Sequence, residues 1–442
     1  MNSKNFTSSF DYIIFLSTIA LTVIGILYIY SANLIKPEIS HNYIKQIIFG
    51  SVGLVMMITL LFVPSKSISD VAVWFYALCA FGLVVTLLFP EVKGQRRLYI
   101  FGINLQFSEF MKLATIILLA KYYASMPPEQ LGDIMTYLKG GLIIALPAGL
   151  IMLQPDLGTT LVYIPIFLTI SFLAGVPKRY VIYTIAFIGM VTFIPIVTSM
   201  NKMLFNDENE IILLLMNPKY MLIIFGTLIL TVVIALLAYF GVIKGIDDRL
   251  RPVFYWYVFI VSVIVIAGSL SYPVNRFMLK PYQKDRLLIF LNPDYDPRGK
   301  GFHIIQSRNT IGNGGLLGRG WTKGDQTQHY FLPEQATDFI YAVIAEERGY
   351  LGSLIILLLY GLIFARGFII MYRSRDYWGS YVVGGVIAML LFHVLENMGM
   401  GLGIMPITGI PLPFLSYGGS FLMACFCGIG LVMNVSLNRY QF

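Results

Sequence analysis

The chain has 442 residues, of which 57% are hydrophobic and only 12% charged, with a formal net charge of +8. Soluble domains carry about 25% charged residues. A soluble globular protein is therefore excluded, and an all-α polytopic integral membrane protein is expected. Cys79, Cys425 and Cys427 lie in apolar segments without disulfide or metal-ligand spacing, and are read as plain core cysteines. The positive charge fits a life against anionic lipids and says no more than that.

Apolar stretches near the roughly 20 residues needed to cross a bilayer recur along the chain. They fall near 11–33, 44–63, 70–90, 107–125, 140–153, 158–175, 179–199, 219–243, 252–271, 338–371, 379–400 and 413–437, which predicts 10 to 12 spans. The first is long enough to span and lacks a small-residue cleavage site, so it is expected to be a span and not a leader. No soluble domain or short tandem repeat is visible, and residues 1–442 read as one membrane domain. Gln154-Pro155-Asp156 reads as a tight turn between spans, with Asp156 placed either to cap the following helix or to serve a site. Residues 200–251 read as an inserted helical pair. The distribution of Lys and Arg puts both termini on the cytoplasmic side and residues 91–106 and 273–336 on the other. Lys93, Arg96 and Arg97 keep positive charge on that outer side, which points to phosphate or to lipid headgroups.

Residues 282–347 interrupt the apolar pattern with a polar stretch rich in Gly and Pro. A loop of this length between spans is either functional or disordered. Its Phe290, Phe302, Ile304, Trp321, Tyr330 and Phe331 argue for order. Residues 301–320 are rich in Gly but lack the Gly-Lys-Ser/Thr ending of a phosphate loop. His41, His303, His329 and His393 form no ligand pair at helical spacing, so zinc is not expected. Glu109 and Lys112 stand three apart on one helix face. Charges within a span face a cavity or mark a pathway; the alternative is a structural ion pair. Glu396 also falls inside a span, spaced to pair with His393. Thr337 or Asp338 is placed to cap the tenth span, and Glu346 and Glu347 to pair with Arg348 or line a cavity.

Six motifs stand in sequence: QPDLGT (154–159), NPDYDP (292–297), GFHIIQS (301–307), IGNGGLLGRG (311–320), FLPEQATDFIYAVIAEERG (331–349) and PITGIPLPFLSYGGS (406–420). In this order they resemble the SEDS family (shape, elongation, division and sporulation). GWTKGDQTQHYFLPE (320–334) and the Gly-Ile-Pro-Leu-Pro of the last motif are closer to its elongation branch than to its division branch. The resemblance implies a peptidoglycan glycosyltransferase of the bacterial inner membrane. Such an enzyme polymerises lipid II on the outer face, for elongation and rod shape. Its implied partners are a class B penicillin-binding transpeptidase, other elongation-complex membrane proteins and membrane lipids, with no nucleic acid. Three departures are visible. Leu98 stands where the family has Trp, Phe107 where it has Pro, and residues 200–251 exceed its usual ten spans.

The resemblance matches Asp296 to the family's Asp before Pro, and makes it the candidate base for the acceptor hydroxyl. The alternative is a turn Asp ahead of proline. Asp294 and Asp296 stand two apart, which in an extended segment would put them on one face, and also spell an Asp-x-Asp pair. In other glycosyltransferases such a pair holds a divalent ion, Mg²⁺ or Mn²⁺, but the spacing alone is not specific. Arg96, Arg97 and Arg286 are candidates for holding pyrophosphate, because guanidinium binds phosphate oxygens bidentately. Glu109, Lys112, Asp156 and Glu334 complete the candidate substrate contacts. A lipid II transporter and a non-catalytic scaffold of the elongation complex are the rival readings.

Overall fold

The computed structural model describes residues 10–34, 41–89, 98–100, 103–205, 218–239, 251–273, 281–297, 299 and 301–438. Arg96, Arg97 and Lys93, and most of the polar residues of the 200–251 segment, lie outside the described residues. Twelve helices of 16 to 34 residues coincide with the twelve apolar segments. They do so because a chain in lipid must satisfy its backbone within each span, which selects continuous helices.

The first unit comprises residues 1–176 and 302–442. It holds α1 (Tyr12–Ala32), α2 (Asn42–Phe62), the short α3 (Ser65–Asp70), α4 (Ala72–Leu87), α5 (Phe107–Ala124), α6 (Ile134–Met152) and α7 (Leu157–Leu173). In the second half of the chain α12 (Phe302–Asn313), α13 (Asp325–Gln328), α14 (Ile340–Arg373), α15 (Tyr377–Leu402) and α16 (Gly419–Asn438) belong to it. The other unit, residues 177–301, holds α8 (Lys178–Phe205), α9 (Pro218–Tyr239), α10 (Arg251–Pro273) and α11 (Pro281–Leu291). Six described helices are long and apolar enough to cross a bilayer, and the protein is a multi-pass membrane protein. A hairpin the hydropathy pattern does not reveal joins β1 (Leu98–Ile100) to β2 (Ile103–Leu105), with Tyr99 opposite Asn104.

The core of the first unit lies on α16, α15 and α5. Every residue of α16 from Ser420 to Leu437 is buried, as are most of α15. Gly403 ends α15 in the left-handed conformation (φ 74°), which turns the chain into the irregular segment 403–418. That segment runs among the helices, and its polar groups find partners there. Gln46 of α2 donates to the Ser416 carbonyl at 2.9 Å, and Asn397 of α15 to the Ile410 carbonyl at 2.7 Å. Tyr360 of α14 donates to the Pro413 carbonyl.

The polar stretch folds into short helices. Residues 314–320 lie along the start of α14, where Gly349 (φ 63°, ψ −158°) kinks the helix and frees carbonyls. The Arg319 and Gly320 amides donate to the Glu346 and Glu347 carbonyls at 2.9 and 3.0 Å, and the Tyr350 amide returns a bond to the Gly315 carbonyl at 2.8 Å. A Cβ on Gly314 would stand 1.9 Å from the Ala345 carbonyl oxygen. This close approach is the physical use of the glycine-rich motif.

Two expectations are corrected here. Neither Glu346 nor Glu347 hydrogen-bonds to Arg348, although the Arg348 charge acts on Glu347. Glu346 accepts from the amides of Gln326 and Thr327 at 2.8 and 3.0 Å, capping α13, and Glu347 accepts from the Ser31 hydroxyl. Arg348 donates instead to the Tyr28 hydroxyl at 3.0 Å. Neither Thr337 nor Asp338 caps α14: Phe339 occupies the cap, with no side-chain bond. Substituting Gly314→Ala should lower the thermal midpoint of the detergent-purified protein, because overpacking against backbone costs about 1–3 kcal/mol or more. Gly312→Ala, in the last turn of α12 with open space around it, should be neutral or stabilising by up to roughly 0.5–1 kcal/mol. Equal midpoints for the two variants would contradict this packing.

Candidate functional site

Two polar centres carry the residues singled out in the sequence, one in each unit. In the first unit, α5 brings Glu109 and Lys112 to one face, buried at 3% and 1% exposure. Lys112 Nζ lies 2.8 Å from Glu109 Oε2, and one of the two was bound to need the other: an isolated buried charge costs several kcal/mol. His393 of α15 stands on the other side of the ammonium, with Nε2 at 3.1 Å, and the Phe421 ring of α16 lies 5.3 Å away. His393 Nδ1 is 3.2 Å from the Pro411 carbonyl. His393 was expected to pair with Glu396, and it does not. Glu396 accepts from the Thr408 hydroxyl at 3.0 Å, while His393 turns to α5. The i,i+3 spacing permits a pair but cannot see the cation supplied by another helix.

Asp156 is the N-cap of α7. Its carboxylate accepts from the Thr159 amide at 3.0 Å and the Thr159 hydroxyl at 2.8 Å. Its Oδ2 also lies 3.4 Å from Nε2 of Gln106, the residue that opens α5 one turn before Glu109. The Gln106 amide donates to the Ser420 hydroxyl at 3.1 Å. The starts of α5, α7 and α16 therefore meet, with Asp156 and the Glu109–Lys112 pair joined through Gln106. Sequence reasoning did not single out Gln106 as a link, nor His393 as a partner of Lys112. Glu334 is exposed and has a left-handed backbone (φ 51°). Its carboxylate accepts from the Thr337 hydroxyl at 3.2 Å.

In the second unit, Asn292 opens a 3₁₀ turn over Pro293–Tyr295 by accepting the Asp294 amide at 3.1 Å. The segment is thus a turn, the alternative weighed for Asp296, and not the extended arrangement that would put Asp294 and Asp296 on one face. Asp296 follows, half-buried, and its Oδ1 accepts from the Gly299 amide at 3.0 Å. A Cβ on Gly299 would stand 2.4 Å from Asp296 Oδ2, so a side chain there would displace the carboxylate. The turn role and a chemical role are compatible, because the amide bond orients the carboxylate. Asp294 is exposed, and Arg286 of α11 half-buried. No group of three or more His, Cys, Asp or Glu residues suited to a metal occurs among the described residues. The donor set does not make a protein-only metal site; a divalent ion at Asp294 would depend on substrate phosphates for its remaining ligands.

The FtsW, RodA and SpoVE family of cell cycle proteins matches residues 11–222 and 221–441. The chain is 37% identical over 439 residues to the peptidoglycan glycosyltransferase RodA of Treponema pallidum, covering 98% of both chains. It is 31% identical over 443 residues to the peptidoglycan glycosyltransferase MrdB of Escherichia coli, covering 99% of this chain and 97% of that one. A chain from a peptidoglycan synthase complex superposes with a TM-score of 0.66 at 25% identity, over 98% of this chain and 99% of that one. The rod shape determining protein RodA of Thermus thermophilus has the same fold, with a TM-score of 0.60 at 22% identity over 98% of each chain. The chain is a member of the FtsW/RodA/SpoVE family.

Glu109→Gln leaves the Lys112 charge buried against a neutral partner, and should destabilise the protein by about 3–5 kcal/mol. Glu109→Gln with Lys112→Met removes both charges and should recover much of that loss. Thermal unfolding in one detergent compares the two. A double variant less stable than Glu109→Gln alone would show that the pair is not the unit described.

Proposed function

We propose that this chain is a peptidoglycan glycosyltransferase that polymerises lipid II into glycan strands at the extracytoplasmic face of the bacterial inner membrane. The observation that carries the reading is the end-to-end match with relatives named for that activity, 37% identical over 98% of both chains. The buried charges on α5 support it, since intramembrane charge marks a site or pathway. The likeness to a chain of a peptidoglycan synthase complex supports a cross-linking penicillin-binding protein of class B as the partner, with cell elongation as the setting.

In this reading Asp296 is the general base. Its carboxylate takes the proton of the acceptor's 4-hydroxyl as that oxygen attacks the anomeric carbon of the donor strand. The new glycosidic bond forms while the bond from the anomeric carbon to the pyrophosphate oxygen breaks, so configuration inverts and undecaprenyl pyrophosphate leaves with the electron pair. A single displacement of this kind needs one carboxylate. The Gly299 amide holds Asp296 in one orientation, which favours a near-attack geometry over a mobile one. Arg286, Arg96 and Arg97 take the leaving pyrophosphate, whose oxygens suit a guanidinium fork. Glu109 and Lys112 form the fixed charged lining, Asp156 orients the start of α7, and the exposed Glu334 contacts substrate.

Asp296→Asn keeps size and accepts the same amide bond but cannot take the proton. Labelled glycan product should fall by roughly 100- to 10,000-fold while lipid II still binds. Asp294→Asn should cost far less. Equal losses in both, each partly rescued by excess Mg²⁺ or Mn²⁺, would replace the base with a metal pair.

The proposed orientation has its own check. A cysteine introduced at the exposed Lys323 should react with an impermeant thiol reagent in intact spheroplasts, since the native cysteines are buried. Labelling only after lysis would place this loop in the cytoplasm and remove lipid II polymerisation from that face.

A further inference from the structure

The Lys112 ammonium has three N–H groups and three neighbours: Glu109 Oε2 at 2.8 Å, His393 Nε2 at 3.1 Å and the face of Phe421 at 5.3 Å. At 1% exposure it has no direction left over for a phosphate. An ammonium has no lone pair, so His393 Nε2 must accept from it. The imidazole proton is then on Nδ1, where it donates to the Pro411 carbonyl at 3.2 Å. His393 thereby bridges α5 to segment 403–418. The same segment reaches α7 a few residues earlier. A Cβ on Gly158 would stand 2.8 Å from the Thr408 carbonyl oxygen, and Gly158 lies two residues beyond Asp156.

We propose that His393 is a positioning residue for glycosyl transfer. In its neutral Nδ1–H form it holds the Lys112 ammonium against Glu109 and fastens α5 to the segment that packs on the start of α7. Glu109, Lys112 and Asp156 are thereby kept in one register. The proposal rests on the reading of those three residues as part of the substrate site. A glutamine here supplies an acceptor for Lys112 and a donor for Pro411, whereas a leucine supplies neither.

The test combines ¹⁵N NMR of histidine-labelled protein in nanodiscs with lipid II polymerisation kinetics. The His393 resonance, assigned by its loss in His393→Gln, should report the Nδ1–H tautomer. In Glu109→Gln/Lys112→Met the Nδ1–H stays on the Pro411 carbonyl, but the Nε2 resonance should shift as it loses the Lys112 donor, a change that a merely space-filling histidine would not show. His393→Leu should lower kcat/KM by about 10- to 100-fold, the scale of a small misplacement of site groups, and His393→Gln should keep most of the activity. An Nε2–H tautomer in the wild type overturns the proposal. So does a folded His393→Gln as impaired as His393→Leu, or a His393→Leu with wild-type kinetics. Should His393→Leu fail to fold, the wild-type tautomer and the His393→Gln kinetics decide. Wild-type polymerisation by Glu109→Gln/Lys112→Met would instead sink the substrate-site reading beneath it, while the tautomer still judges the bridge.

Discussion

Irregular backbone buried among apolar helices survives only where every carbonyl and amide has a partner, since no water competes for them. Residues 408–416, the inner part of segment 403–418, are such a stretch, and the first unit is arranged around satisfying it. Helices α2, α14 and α15 each send it a side chain: Gln46 to Ser416, Tyr360 to Pro413, and His393 and Asn397 to Pro411 and Ile410. The segment closes on itself and on the polar stretch as well. The Ser416 hydroxyl accepts the Leu412 amide, and the Tyr417 amide reaches the Ala336 carbonyl at 2.9 Å. Remove this set of bonds and α15 and α16 lose the coil that joins them. His393, the neighbour of the buried charge on α5, loses its anchor at Pro411 with it.

The same economy of partners explains the Lys112 centre. Bringing an ammonium to 1% exposure is tolerable only beside a carboxylate and further acceptors. Glu109 supplies the charge, His393 the lone pair, and Phe421 the π face. Because these come from α5, α15 and α16, the ion pair also records how those helices are set against one another.

The spans were legible in the sequence because each is a continuous apolar run, and the twelve long described helices follow them closely. Asp156 as a cap was legible too: Pro155 before it and an apolar run after it leave few other roles. What was not legible came from side chains meeting across helices. The His393–Glu396 spacing suggested a local pair, but the stronger partner, Lys112, is 281 residues away. Glu346 and Glu347 stand beside Arg348 in sequence, yet the kink at Gly349 and the docked glycine loop draw them to α13 and to Ser31. A turn before Pro297 was among the readings of Asp296, but the residue that starts it, Asn292, accepting the Asp294 amide, was not singled out.

The central claim is that this chain makes glycan, and purified protein in liposomes with labelled lipid II tests it most directly. The account predicts labelled strands longer than the disaccharide, made without a partner polymerase, by wild type and not by Asp296→Asn. Lipid II that crosses the bilayer without lengthening would identify a transporter, and lipid II that does neither would identify a scaffold. Either result would contradict the account.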